Sequence, residues 1–151
     1  MDHAIFAAAV IVTAWIFAAL EIQIEGQAGW AANLPTWRIQ NRLTDLFYGG
    51  RPLTGYHLYA QLFVLAVVHL PYAVGLPITL RAEALILAYM ILFWILEDFL
   101  WFVLNPAFGV SRFKKELIWW HQKSWWIVAP REYFIFGALS LVLYSWGRSL
   151  C

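Results

Sequence analysis

The chain has 151 residues, of which 63% are hydrophobic and 13% are charged, and its formal net charge is +1. This composition is too apolar for an ordinary soluble domain, and it also excludes an intrinsically disordered chain. The small net charge offers no extended basic surface for a nucleic acid, and the single cysteine excludes a disulfide scaffold. The composition is typical of an integral membrane protein.

Four apolar stretches are long enough to cross a bilayer. The first contains the run AIFAAAVIVTAWIFAAL and lacks the basic region of a signal peptide, so we expect a retained helix. The last begins at Pro130, a residue that suits the first turn of a helix. The sequence predicts an all-α integral membrane protein, a single domain over 1–151, with four transmembrane helices in an antiparallel bundle at about 4–24, 57–76, 81–104 and 130–147.

The basic residues predict how this bundle is oriented. Antiparallel spans put the 25–56 and 105–129 segments on one side of the membrane, together with most of the lysines and arginines. Arg81 and Arg148 fall on the other side, and the remaining basic residues are Arg38, Arg42, Arg51, Arg112, Lys114, Lys115, Lys123 and Arg131. By the positive-inside rule we expect the two long connections to be cytoplasmic and both termini to be outside, in a bacterial-type inner membrane.

Both long connections carry amphipathic segments. Over 36–48, apolar residues recur at helical spacing opposite polar and charged ones, and Gly49-Gly50 ends the pattern. The 112–126 segment contains FKKELIWWHQKSWW, whose tryptophans and lysines suit the headgroup region of a bilayer. We therefore expect cytoplasmic interfacial helices that form an aromatic cap over the bundle.

Two adjacent carboxylates, Glu97 and Asp98, lie inside the third predicted span. Asp98 is six residues before Leu104, which places it about 9 Å below the helix end at a rise of about 1.5 Å per residue. Carboxylates at that depth are costly unless they are paired, protonated or bound to a metal, so they predict a functional site. The alternative is that the helix ends early and both side chains lie among hydrated headgroups.

The predicted topology brings other ionisable residues to the same end of the bundle. The first span ends with two glutamates one turn apart, the second begins with a histidine, and another histidine lies in the 112–126 segment. The predicted site therefore has six members, which are Glu21, Glu25, His57, Glu97, Asp98 and His121. We expect Glu97, Asp98 and His121 to be catalytic.

Carboxylates and imidazoles together suit a divalent metal such as Fe, Zn or Mn, so all six residues are predicted metal ligands. The sequence has no H-E-x-x-H motif and no Glu-x-x-His pair at the acidic positions. Two other interpretations of the six therefore stay open. One is a proton or substrate-cation site, and the other is a structural ion-pair network with Arg38, Arg42, Arg51 or Arg131.

These features favour a membrane-embedded metal-dependent enzyme that acts on a lipid-like or hydrophobic small molecule at the cytoplasmic face. Metal-assisted hydrolysis, oxidation and isomerisation all remain open. One alternative is an accessory or assembly subunit of a larger membrane complex, because 19% of the residues are aromatic and would supply contact surface. Another is a homodimeric proton-coupled transporter that uses Glu97 or Asp98 as its proton site.

Overall fold

The structure, a computed structural model, describes residues 2–150, so Met1 and the single cysteine, Cys151, lie outside it. Within that range the chain is mostly helical, as predicted. The α-helices are α1 (His3–Glu25), α2 (Arg42–Phe47), α3 (Gly55–Ala73), α4 (Leu80–Leu104) and α5 (Arg131–Ser149). Two short strands, β1 (Arg38–Ile39) and β2 (Leu53–Thr54), pair antiparallel, and Val110–Arg112 forms a single 3-10 turn.

Among the described residues, α1 and α4 are the helices that are long and apolar enough to cross a membrane. They coincide with the first and third predicted spans to within one residue at each end. The other two predicted spans overlap α3 and α5, which have 19 residues each and more polar sequences. The arrangement of four transmembrane helices therefore stays a prediction.

Local sequence signals fix the ends of the two long apolar helices. The side chain of Asp2 caps α1 by accepting a hydrogen bond from the backbone N–H of Ala4 at 2.8 Å, and Gly26, with φ of 66°, ends the helix. Thr79 caps α4 in the same way, because its hydroxyl accepts from the N–H of Ala82 at 3.1 Å.

α4 is the central helix of the bundle and packs most extensively against α5 and α1. Small residues allow these close approaches. Ala14 of α1 and Ala88 of α4 are fully buried, and the Ser140 hydroxyl of α5 donates to the Ala88 carbonyl at 2.8 Å. α3 contacts α4 at far fewer positions. This loose packing leaves room for a cavity between α3 and α4.

The first connection is helical over a shorter range than the predicted 36–48. The side chain of Asn41 caps α2 by accepting from the N–H groups of Leu43 and Thr44, so the helix begins there. The residues before Asn41 include β1, which pairs with β2 instead of extending the helix. On α2, Leu43 and Phe47 are 67% and 64% exposed. The interfacial position of this segment stays a prediction.

The aromatic cap, defined here as residues 112–126, is not the interfacial helix that the sequence predicts. It folds as successive turns, and four of its residues are buried, namely Ile118, Trp120, His121 and Ser124. Ile118 is fully buried, and the Trp120 ring stacks on Phe102 with centroids 5.6 Å apart and an interplanar angle of 14°. Trp119 and Trp126 remain exposed. The cap therefore closes one end of the bundle and forms part of its core.

Candidate functional site

A cavity of about 650 Å³ lies where the aromatic cap meets the helices. All six predicted site residues line it, namely Glu21, Glu25, His57, Glu97, Asp98 and His121. Apolar and aromatic side chains form much of the remaining wall, including Leu43, Phe47, Ala60, Ile91, Trp94, Ile95, Trp101 and Phe136. The volume falls within the range of small-molecule sites. The cavity thus joins a cluster of acids and histidines to a wall suited to a hydrophobic ligand.

Helical periodicity places the acidic side chains in this cavity. Glu21 and Glu25 are one turn apart near the end of α1, so they share one face, and both are buried. Glu97 and Asp98 are adjacent on α4, so they point about 100° apart. Because of this difference, Glu97 faces α1 and Asp98 faces the cap and α5.

Asp98 is held by two hydrogen-bond donors from different parts of the chain. Its Oδ2 lies 3.0 Å from His121 Nε2, and the same oxygen accepts a hydrogen bond from the Tyr133 hydroxyl. On the other side of the imidazole, Arg51 Nη1 lies 3.2 Å from His121 Nδ1 and also 3.2 Å from Nε2. The network therefore links the first connection, the cap, α4 and α5.

Burial lowers the pKa of His121 below its ordinary value of 6.5, and the charge of Arg51 lowers it further, while Asp98 opposes both. His121 is therefore neutral near pH 7, with Nε2–H donating to Asp98 and Nδ1 free to accept from Arg51. Burial also lowers the pKa of Arg51, against the raising effect of the carboxylates of Asp98 and Glu132. A guanidinium nevertheless keeps its proton in proteins, so Arg51 supplies a fixed positive charge.

Trp30 supports both Arg51 and His57. The guanidinium carbon of Arg51 lies 4.0 Å from the centroid of the indole, a cation–π distance, and the His57 ring stacks on the indole at 3.9 Å. Trp30 and Ala31 have φ of 48° and 50°, a left-handed conformation that costs free energy in residues other than glycine. The Glu25 carboxylate offsets part of this cost by accepting from the Ala31 N–H at 2.5 Å.

Glu21 and Glu97 form a second group, next to the Asp98 network. The Glu21 carboxyl interacts with the Glu97 carboxyl and the Tyr56 hydroxyl. Glu97 is 3% exposed, and its Oε1 has no hydrogen-bond partner. Within residues 2–150, neither glutamate forms an ion pair with a lysine or arginine. Two carboxyls buried side by side are stable when they share a proton or take up a positive charge.

The six residues line one cavity without forming a ready-made coordination sphere. Across residues 2–150, no three His, Cys, Asp or Glu side chains are grouped closely enough to hold a metal ion. Each histidine is paired with a different carboxylate, His57 with Glu25 at 3.5 Å and His121 with Asp98 at 3.0 Å. The metal-binding role of the six therefore stays a prediction.

The four arginines proposed for a structural network occupy different places, and one of them, Arg42, is exposed at the start of α2. Arg51 lines the cavity. Arg38 instead donates to backbone carbonyl groups, among them that of Thr36 at 2.9 Å, and Arg131 pairs with Glu132 at 3.4 Å. Arg51 reaches Asp98 through the neutral His121, and within residues 2–150 none of the four arginines forms an ion pair with Glu21 or Glu97.

Sequence reasoning did not identify Trp30, Tyr56 and Tyr133 as members of the site. Tyr133 could have been found, because it lies in the first turn of the fourth predicted span at the depth of the other site residues. Trp30 could not, because its position depends on the left-handed backbone after α1.

Comparisons with protein-family models, with curated proteins and with solved structures found no match to this chain.

Proposed function

We propose that this protein is an integral membrane enzyme that takes a hydrophobic small molecule into the cavity and transfers protons to and from it. The observation that carries the proposal is Glu97, a buried carboxyl with an unpartnered oxygen in the wall of a largely apolar cavity. A carboxyl in that environment is suited to general acid–base catalysis. The proposal includes four transmembrane helices, cytoplasmic connections and both termini outside, on the strength of the basic-residue distribution.

Glu21 and Glu97 would carry out the proton transfers. A proton shared by the two carboxyls leaves one group able to donate and the other able to accept. Addition of a proton at one position of the substrate and removal of a proton from another is an isomerisation, which needs no oxidant, reductant or co-substrate. The pair therefore matches a reaction in which the atoms balance without another reactant.

Asp98 and His121 would act as positioning residues in this scheme. Both are already engaged in hydrogen bonds, Asp98 with Tyr133 and His121, and His121 with Arg51. They hold the cap against α4 and α5, where it covers the carboxyl pair and limits access of water. Exclusion of water strengthens the electrostatic effect of every charge in the cavity.

Labelling from deuterated solvent tests this proposal with a mixture of candidate substrates. Purified protein in lipid nanodiscs is incubated in D2O with a hydrophobic extract of the cells that carry the gene, and the extract is analysed by mass spectrometry. We expect a compound that gains deuterium with the wild type and not with Glu97→Gln.

Glu83→Gln is the matched control, because Glu83 lies on the same helix in the first turn of α4, at the other end of the bundle. It should label as the wild type does. The absence of any labelled compound, or equal labelling by Glu97→Gln and the wild type, would contradict the proposal.

A metal-dependent form of the same enzyme is the second candidate. The adjacent carboxyls of Glu21 and Glu97 favour it, because they are two hard ligands to which a bound metal could draw Glu25 or His57. Fe, Zn and Mn all suit such a ligand set. Elemental analysis decides between the two forms. Near-stoichiometric metal that is lost in Glu97→Gln would favour this form, whereas labelling activity in metal-free protein would exclude it.

A further inference from the structure

We propose that the cavity recognises positive charge and binds hydrophobic molecules that carry a protonated amine. The inference rests on the proposed function, because protonation of a neutral substrate by Glu97 creates a cation at the same place. A site that stabilises this cation should also bind a stable cation of similar shape and hydrophobicity. Three features of the cavity wall point to such a ligand, namely its charge, its aromatic rings and the buried Oε1 of Glu97, which accepts no hydrogen bond.

The cavity wall contains more acidic than basic side chains. Among the described residues that line the cavity, one is a lysine or arginine, namely Arg51. Five carry a carboxyl group, namely Glu21, Glu25, Glu97, Asp98 and Glu132. Three of these acids already have partners in the chain. Asp98 is engaged by His121 and Tyr133, and Glu25 by the Ala31 N–H and His57. Glu132 forms an ion pair with Arg131 at 3.4 Å, although neither of its carboxyl oxygens accepts a hydrogen bond.

Glu21 and Glu97 are left without a basic side chain as partner among the described residues. Oε1 of Glu97 is buried and unpartnered, and the residue lines the cavity, so an N–H donor of a ligand would satisfy it. A charged donor would also supply the positive charge that two neighbouring carboxyls require. A ligand with its own carboxylate would be repelled.

Aromatic rings form the surface on which such a cation would rest. The rings in the wall include Trp30, Tyr48, Trp94, Trp101, Trp120 and Phe136. The chain already uses one of them in this way, because the guanidinium of Arg51 lies 4.0 Å from the centroid of Trp30. Tryptophan is the aromatic side chain that binds cations best, especially away from water. Carboxyls and rings in one cavity therefore favour a cationic amphiphile over a neutral one.

Binding of matched ligands tests the inference without any need for turnover. Wild-type protein in nanodiscs is titrated at pH 7 with N,N-dimethyldodecylamine, 1-dodecanol and dodecanoate, and thermal unfolding is followed by tryptophan fluorescence. Empty nanodiscs correct for partition of each ligand into the bilayer. We expect the amine to raise Tm and to bind roughly tenfold more tightly than the alcohol, and dodecanoate to leave Tm unchanged.

Two variants connect this preference to the carboxyl pair. Glu97→Gln should weaken amine binding by roughly tenfold and leave alcohol binding unchanged, while Glu83→Gln should keep the wild-type preference. If Glu97→Gln does not fold, Glu21→Gln gives the same test. Equal affinity for the amine and the alcohol, or an unchanged preference in the carboxyl variant, would overturn the inference.

The outcome is distinguishable from that of the proposed function. Amine binding that depends on Glu97, without any labelling from D2O, would support cation recognition and contradict the enzyme proposal. Labelling that depends on Glu97, without a preference for the amine, would do the reverse.

Discussion

Replacement of Asp98 by asparagine removes the negative charge at the centre of the network between the cap and the bundle. The substitution keeps the size of the side chain, but it leaves Arg51, which is largely buried, with Glu132 as its remaining nearby carboxylate. Removal of one partner from a buried charged network costs about 3–5 kcal/mol. Because 26% of the Asp98 side chain is exposed, towards the cavity, we expect a loss near the lower limit, about 3 kcal/mol.

Thermal unfolding followed by the fluorescence of the ten tryptophans measures this loss. Asp45→Asn is the control, because Asp45 is exposed and accepts one hydrogen bond from Gln40 at 3.0 Å, so it should cost less than about 1 kcal/mol. A double variant, Arg51→Met with Asp98→Asn, should cost less than the two single variants added together. Additive costs, or an Asp98→Asn variant within about 0.5 kcal/mol of the wild type, would refute the network.

Three further predictions concern the same region. Tyr133→Phe removes the hydroxyl that donates to the Asp98 carboxylate, and we expect thermal unfolding to show a loss of about 1.5–3 kcal/mol. Gly29→Ala places a methyl group against the ring of Trp120 at a φ of +63°, so it should cost about 1–3 kcal/mol by the same assay. The pKa of buried His121 lies below 6.5, so the unfolded chain binds more protons at this residue than the folded chain does. Stability should therefore fall as the pH drops below about 6.5, and the fall should be less steep in His121→Gln.

Each of these predictions has a matched control. Tyr144→Phe is the control for Tyr133→Phe, because Tyr144 lies on the same helix and its hydroxyl contacts His3 in an exposed position. The loss of stability in this control should be small. Gly109→Ala is the control for Gly29→Ala, because Gly109 has a similar φ of +68° and no neighbouring atom within 4 Å of an added methyl group. His69→Gln is the control for His121→Gln, because His69 pairs with Glu83 away from the cavity and its loss should not make the fall in stability below pH 6.5 less steep. If a control matches its test variant in effect, the corresponding contact is not responsible.

The sequence predicts where the acids meet because that result depends on helix direction and length alone. α1 and α4 are long apolar helices with carboxyl side chains near their C-terminal ends, and because the two helices run the same way these ends reach the same depth. The sequence also indicates that Glu97 and Asp98 point in different directions, about 100° apart. It does not give their partners, because those depend on the rotation of each helix. In the structure Glu97 faces Glu21, and Asp98 faces His121 and Tyr133.

The cap shows a second reason why sequence patterns are insufficient. Tryptophans and lysines in the 112–126 segment are typical of a membrane interface, but Trp120 packs on Phe102 in the core instead. The choice among the arginines is equally non-local. Arg51 reaches the cavity because β1 and β2 pair and Trp30 lies beneath its guanidinium, and neither contact has a sequence motif.

Native mass spectrometry of a blocked cavity tests most directly whether this cavity is the binding site. Ala60 of α3 lines the cavity, so Ala60→Trp should obstruct it, whereas Ala66→Trp on the same helix adds an indole to an exposed position. With N,N-dimethyldodecylamine as the ligand, we expect one bound molecule per chain in the wild type and in Ala66→Trp, and none in Ala60→Trp. Equal retention of the ligand by Ala60→Trp and the wild type would contradict binding in the cavity.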